Sequence, residues 1–257
     1  MPTRDTPWPD GTPCWVDYGA PDPAAAKTFY GGLLGWTFTE EDEAFGNYVQ
    51  ALLGGKQAAG MGPQMNADDP VAWTTYFATG DLDAHLAKVR EAGGTVVMEP
   101  MQVGPMGSMA IALDPQGSAF GLWQAGSHTG IQVYNEPGAV TWNEAAVDDP
   151  DAARAFYAAV FGYEYDEVPD AGGYTTFRAG DRGPDHPLGG LGGHQPGSPT
   201  GWQTCFAVAS TDDAVSYVES HGGKTITAPQ DTPFGRFAVV EDPWGGAFSV
   251  MQQPAGS

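Results

Sequence analysis

Apolar and polar positions change period several times along the chain, and the changes come in a fixed order. Cys14–Tyr18 is a run of large side chains suited to a strand, Ala20-Pro21-Asp22-Pro23 breaks it, and Ala24–Leu34 reads as an alanine-rich helix. Asp22 stands where an N-cap belongs, Pro23 fits the first helical position, and Gly35 suits the left-handed residue past the end. Trp36–Glu40, Tyr48–Leu53 and Ala58–Gln64 follow as three short strands separated by glycine or acidic turns. A second unit of the same β-α-β-β-β kind comes next. It has a strand over Trp73–Thr79, a helix over Leu82–Ala92 ended by Gly93-Gly94, and strands over Thr95–Met98, Ser108–Leu113 and Ser118–Gln124. Leu82, Leu86 and Val89 share one face of that helix, and Asp114-Pro115-Gln116-Gly117 has the residue order of a type I turn.

The whole pattern then recurs. Trp15–Trp36 is answered by Trp142–Tyr163, with Trp15 matching Trp142, Asp17 matching Glu144, Phe29-Tyr30 matching Phe156-Tyr157 and Gly35 matching Gly162, each pair 127 residues apart. Asp149 and Pro150 repeat the helix punctuation. Trp202–Val208 answers Trp73–Thr79, Gly222-Gly223 answers Gly93-Gly94, and Asp242-Pro243-Trp244-Gly245 answers the first turn. The spacing drifts by two residues gained and one lost, and the Gly/Pro/His-rich segment Gly180–Thr200 is the expected place of the gain. Two similar domains in series are predicted, 12–125 and 139–253, joined by a linker over 126–138.

Charge narrows the choice of partner. Acidic residues outnumber basic ones 32 to 10, a formal net charge of −22, which argues against nucleic acid and against anionic membrane surfaces. A cationic ligand is compatible with it, and so is a plain solvated acidic surface. The two cysteines, Cys14 and Cys205, make no CxxC pattern, so neither a disulfide framework nor a structural zinc site is expected. The opening segment MPTRDTPWPDGTP lacks the apolar core of a signal peptide, and no apolar run approaches membrane-spanning length; a cytoplasmic location is the expectation.

The order and double occurrence of these motifs resemble the vicinal oxygen chelate superfamily, which includes glyoxalase I, extradiol dioxygenases and bleomycin-resistance proteins. The residues carrying the likeness are the Asp-Pro-capped helix with Phe-Tyr and Gly (Asp22–Gly35, Asp149–Gly162), the helix ending in Gly-Gly, and DPxGxxF in Asp114–Phe120 and Asp242–Phe248. Within the superfamily the chain looks most like two-domain actinobacterial proteins often labelled hydroxylases. The resemblance implies an α+β fold of two tandem domains, each made of paired β-α-β-β-β modules forming a curved, cup-shaped sheet. It also implies metal ligands at positions occupied here by Trp15, Thr74 and Gly121 in the first copy, and by Trp142, Gln203 and Ser249 in the second. Tryptophan has no lone pair to offer and glycine no side chain. Shifting by one residue reaches only Val16, Thr75, Leu122 and Asn143. No metal and no cofactor are expected.

Strand alternation puts Trp15 with Asp17, and Trp142 with Glu144, on one face of each opening strand. Asp17 and Glu144 are the candidate general bases, the alternative being structural carboxylates paired within the fold. Trp15 and Trp142 would supply aromatic platforms or simply core, and Tyr48, Tyr174, Thr74, Tyr76 and Gln203 would line the same cups. Of the histidines, His85 and His221 are expected to be solvated, His128 to lie in the linker, and His186 and His194 to flank the glycine-rich insertion. Arg178 and Arg236 are expected in surface ion pairs. The function expected is binding of a small aromatic molecule, with metal-independent hydroxylase-, lyase- or isomerase-type turnover by a carboxylate. The alternative is sequestration of a cationic drug without turnover. The chain would work as a monomer with pseudo-dimeric domains or as a homodimer.

Overall fold

Asp22 accepts the N–H of Ala25 at 3.1 Å, and Gly35 turns the backbone at φ 73°, so the first helix begins and ends on the residues that punctuate it. The second copy does the same with Asp149 and with Gly162 at φ 72°. In the computed structural model, which describes residues 2–64, 66, 69–180, 183, 186–194 and 197–254, these helices belong to two equivalent halves. The first runs β1 (Pro13–Ala20), α1 (Pro23–Leu34), β2 (Thr37–Phe38), β3 (Val49–Leu53), β4 (Lys56–Pro63), β5 (Trp73–Ala78), α2 (Leu82–Glu91), β6 (Thr95–Val103), β7 (Gly107–Leu113) and β8 (Ala119–Ala125). The second runs β9 (Val140–Val147), α3 (Pro150–Phe161), β10 (Glu164–Glu167), β11 (Thr175–Arg178), β12 (Gly189–Gly193), β13 (Gly201–Ala207), α4 (Thr211–Ser220), β14 (Lys224–Thr232), β15 (Gly235–Glu241) and β16 (Ala247–Gln252).

Each half forms one eight-stranded mixed sheet, ordered β2-β3-β4-β1-β5-β8-β7-β6 and β10-β11-β12-β9-β13-β16-β15-β14. The two modules of a half meet at their opening strands, β1 against β5 and β9 against β13, both antiparallel. This is the expected α+β arrangement of paired modules. The opening strands therefore lie at the centre of each sheet, which is where the paired Trp and acid residues stand.

Three expectations need correction. The strand expected over Trp36–Glu40 shrinks to Thr37–Phe38, because Trp36 leaves the sheet for the core and donates its indole N–H to Gly138 O at 2.6 Å. The strand expected over Thr95–Met98 runs on to Val103 through Pro100, which a sheet-edge strand tolerates where its register slips, here between Met98 and Met101. The expected insertion Gly180–Thr200, part of which lies outside the described residues, contains β12, a strand of sequence GGLGG. Its glycines carry no apolar pattern, so periodicity alone does not show it as a strand.

The helix-side cores are built across the halves. Val16, Tyr18, Phe29, Tyr30 and Trp36 of the first half pack with Phe206, Val215, Val240 and Phe248 of the second. Phe77, Leu86 and Phe120 of the first half pack with Phe156, Tyr157, Phe177 and Trp202 of the second. Where the two sheets approach, Asn143 Oδ1 accepts from the buried hydroxyls of Thr75 (3.1 Å) and Thr204 (3.4 Å).

Candidate binding cups

Alternation along β1 sends Val16 and Tyr18 toward the helices and leaves Trp15 and Asp17 on the opposite, cup face. Trp15 is 4% exposed, and its indole N–H donates to the hydroxyl of Tyr48 at 2.9 Å. Tyr48 and Tyr76 in turn hydrogen-bond Asp17. Trp15 and Asp17 stand opposite Tyr76 and Thr74 of β5, so the register brings every first-copy candidate into one cluster. Burial pushes the Asp17 carboxyl up to about 7, against the opposing pull of the two tyrosine hydroxyls. The same burial, with the neighbouring carboxylate, raises both tyrosines well above their usual value, so they remain protonated donors. Asp17, Tyr48 and Thr74 keep some exposure and form the accessible part of this floor.

Glycines make the room. A Cβ on Gly60 would collide with the Tyr48 hydroxyl, and one on Gly121 would enter the ring of Tyr76. In the second half Gly190 stands in the same relation to Tyr174. The alternating glycines Gly60/Gly62 and Gly190/Gly192 were a readable signal for a strand crossed by a tyrosine.

The second cup repeats the chain of hydrogen bonds. The indole N–H of Trp142 donates to Tyr174 at 2.9 Å, and the Tyr174 hydroxyl donates to Glu144 Oε2 at 2.8 Å. Burial raises the Glu144 carboxyl above its usual range, opposed by the Tyr174 bond. Glu144 stands opposite Gln203, whose buried Oε1 has no hydrogen-bond partner among the described residues. The cups differ beyond these residues. Cys205 replaces Tyr76 opposite the tryptophan, Ser249 replaces Gly121, and Trp142 is partly exposed where Trp15 is buried.

Two of the histidines fall in unexpected places. His128, expected in a linker, is buried in the first cup with its ring edge-on to Trp15 at 4.3 Å and to Trp123 at 5.3 Å. Its Nδ1–H donates to Gln57 Oε1 at 3.0 Å, and burial lowers its pKa to about 4. His85, expected in solvent, is buried and hydrogen-bonded to Thr79 Oγ1 at 2.8 Å, because α2 turns that face toward the sheet. His221 is exposed and stacks on Tyr217. His194 pairs with Asp148 at 2.9 Å. Arg178 pairs with Glu164 and Asp166, and Arg236 with Asp212 and Asp231.

In the first cup the positions that would carry metal ligands do not fit a metal. Trp15 turns an N–H donor toward Tyr48, and the space beside Gly121 is filled by the Tyr76 ring. Among the described residues no three His, Cys, Asp or Glu side chains converge on a common point.

The family model described as Glyoxalase/Bleomycin resistance protein/Dioxygenase superfamily matches residues 15–122 and 130–250. The chain belongs to this superfamily. Among solved structures of the superfamily fold, the Mn(II)-bound glyoxalase from Novosphingobium aromaticivorans aligns with TM-score 0.64 at 17% identity, over 95% of this chain and 82% of that one. The 2,2',3-trihydroxybiphenyl 1,2-dioxygenase from Sphingomonas wittichii aligns equally well at 14% identity, over 97% and 93%. Nearer in sequence is CFP32 of Mycobacterium tuberculosis, whose name places it among glyoxylases, 39% identical over 98% of each chain. The anthracycline biosynthesis protein DnrV of Streptomyces peucetius is 38% identical over 94% of this chain and 93% of its own.

Proposed function

We propose that this superfamily member binds a small aromatic molecule in its first cup and acts on it by metal-independent acid–base chemistry at Asp17. The observation that supports this is the cluster itself: a half-buried carboxyl raised to about 7 between two protonated tyrosines and beside a tryptophan. A group that changes protonation near neutral pH is an effective general base, and the tyrosine hydroxyls that donate to Asp17 hold its carboxyl in place. Such a cluster moves protons and supplies no electrons. Isomerase- or lyase-type turnover, begun by proton abstraction beside a carbonyl, therefore fits it better than hydroxylation. The aromatic class is supported by the relatives DnrV and DauV, named anthracycline biosynthesis proteins, since the anthracycline skeleton is a flat fused-ring system.

The test uses 2-tetralone, a flat bicyclic ketone with acidic C–H bonds, in deuterated buffer. The protein should accelerate deuterium uptake beside the carbonyl, and Asp17→Asn should remove the acceleration with the fold intact by circular dichroism. Uptake that is equal with and without Asp17 would sink the reading.

A second reading has its own observation. In the second cup the partly exposed Trp142 stands beside Glu144 and the unpartnered Gln203 Oε1, an aromatic face with two acceptors. In a chain of net charge −22 this set suits a cationic aromatic drug held without turnover. Salt-sensitive stoichiometric binding of bleomycin, lost in Glu144→Gln, would favour it over the first reading.

A further inference from the structure

A cavity that shares Trp142 with the second cup lies outside the acid-bearing floors of the cups. It measures about 500 Å³ and sits between the N-terminal segment, the 131–135 segment and the start of β9. Three aromatic side chains wall it, Trp8, Tyr134 and Trp142. Trp8 and Tyr134 meet edge to face at 5.4 Å, and the Trp8 indole N–H is fixed to Ile131 O at 3.1 Å, so these walls are set before any ligand arrives.

Two residues that line this cavity carry polar groups that, among the described residues, lack the partners their kind finds elsewhere. Thr12 is 4% exposed, and its Oγ1 has no hydrogen-bond partner among the described residues. A buried hydroxyl left unpaired is costly to the fold and is satisfied by a ligand group or a water reaching it. Arg4 is the other. Its Nε–H donates to Thr6 O at 2.9 Å, its Nη2–H donates to Pro7 O at 2.6 Å, and the guanidinium lies 4.9 Å from the Trp8 ring centroid. Those neighbours orient the cation without neutralising it. Arg90, Arg154, Arg178 and Arg236 each face a carboxylate, whereas among the described residues Arg4 faces none. In a chain with 32 acidic residues against 10 basic ones, an aromatic-walled cavity holding an uncompensated guanidinium is selective for negative charge. The outer edge of that guanidinium, Nη1 with the second Nη2–H, retains a pair of donors for a carboxylate.

We propose that this cavity is a second ligand site, separate from the acid–base floor, and that it takes a flat aromatic carboxylate. The carboxylate meets Arg4 and the Thr12 hydroxyl, and the ring lies among Trp8, Tyr134 and Trp142. Isothermal titration with 2-naphthoate, and with 2-naphthamide as its neutral counterpart, tests the site. One saturable site for 2-naphthoate is expected, with Arg4→Gln and the amide each weakening binding by about tenfold or more, the range of a charge-assisted hydrogen bond. Thr12→Val removes only the unpaired hydroxyl and should weaken binding several-fold without lowering the melting temperature, which keeps the test decisive if Arg4→Gln loosens the N-terminal segment. Thr12→Val should catalyse deuterium uptake by 2-tetralone at the parental rate, so failure here is distinct from failure of the first cup. Absence of saturable binding, equal binding of acid and amide, or parental affinity in Thr12→Val would each overturn the proposal.

Discussion

Tyr30 of the first half donates its hydroxyl to Asp242 Oδ2 of the second half at 2.7 Å, and Tyr157 of the second half returns the contact to Asp114 Oδ2 at 3.0 Å. Each aspartate spends its other oxygen on the backbone of its own turn: Asp242 Oδ1 takes the N–H groups of Trp244 and Gly246, and Asp114 Oδ1 those of Gln116 and Ser118. Each tyrosine also accepts an indole N–H, from Trp73 at 3.1 Å or Trp202 at 2.8 Å. Tyr30→Phe therefore leaves a buried carboxylate oxygen and a buried indole N–H unpaired. It should cost about 2–3 kcal/mol in urea unfolding, and Tyr157→Phe should cost a similar amount. A loss below about 0.5 kcal/mol would mean that solvent replaces the contact.

The cores cross the halves as well, so neither half has a complete interior. Residues 1–125 and 126–257 expressed separately should be insoluble or lack cooperative unfolding, because each exposes apolar faces that the other covers. Co-expressed, they should assemble into a one-to-one complex visible by size-exclusion chromatography. A folded, monomeric first half would contradict this.

Two groups in the first cup oppose each other as pH changes. Asp17, raised to about 7 from an ordinary carboxyl value, binds its proton more tightly folded than unfolded, so its contribution to stability grows as pH falls through 7. His128, lowered to about 4, stays neutral in the fold while the unfolded chain protonates near 6.5, so its contribution shrinks as pH falls from 6.5 toward 4. Between pH 7.5 and 5 the two terms offset in the parent protein, each pKa unit being worth about 1.4 kcal/mol. Relative to the parent, Asp17→Asn should lose stability on this acidification and His128→Gln should gain it. Chemical denaturation of the three proteins at both pH values checks the signs.

Gly60→Ala probes the hydrogen-bond chain without touching its polar members. The new Cβ meets the Tyr48 hydroxyl, at the far end of a half-buried side chain, so the ring must turn away and folding should survive with reduced stability. The Trp15–Tyr48 bond should not. Trp15 fluorescence should shift, and deuterium uptake by 2-tetralone should fall at least several-fold. Gly190→Ala should release Trp142 in the same way and leave the first-cup reaction intact.

Much of the fold was readable because its signals are local. Asp22, Pro23 and Gly35 cap one helix, and the same residue types cap its copy. The pairing of Trp15 with Asp17 on one face followed from strand alternation. What escaped was long-range. Nothing in the sequence near His128 says that the segment after β8 folds back over Trp15 and Trp123. The Phe-Tyr motif and the Asp-Pro-x-Gly turn were each visible twice, yet their meeting across the halves depends on how two sheets dock. Periodicity does not encode that docking. His85 was misplaced because a histidine among polar helix neighbours looks solvated until Thr79 is seen beneath it.

The reciprocity of Tyr30–Asp242 and Tyr157–Asp114 is the pattern two identical chains make across a twofold axis. In a pair of identical chains every substitution appears at both places at once, and a change useful in one cup is imposed on the other. Joining the copies in one chain removes that constraint while keeping the contact. Tyr76 in one cup and Cys205 in the other, with Gly121 answered by Ser249, record the freedom gained: two rooms under one roof, each refurnished separately.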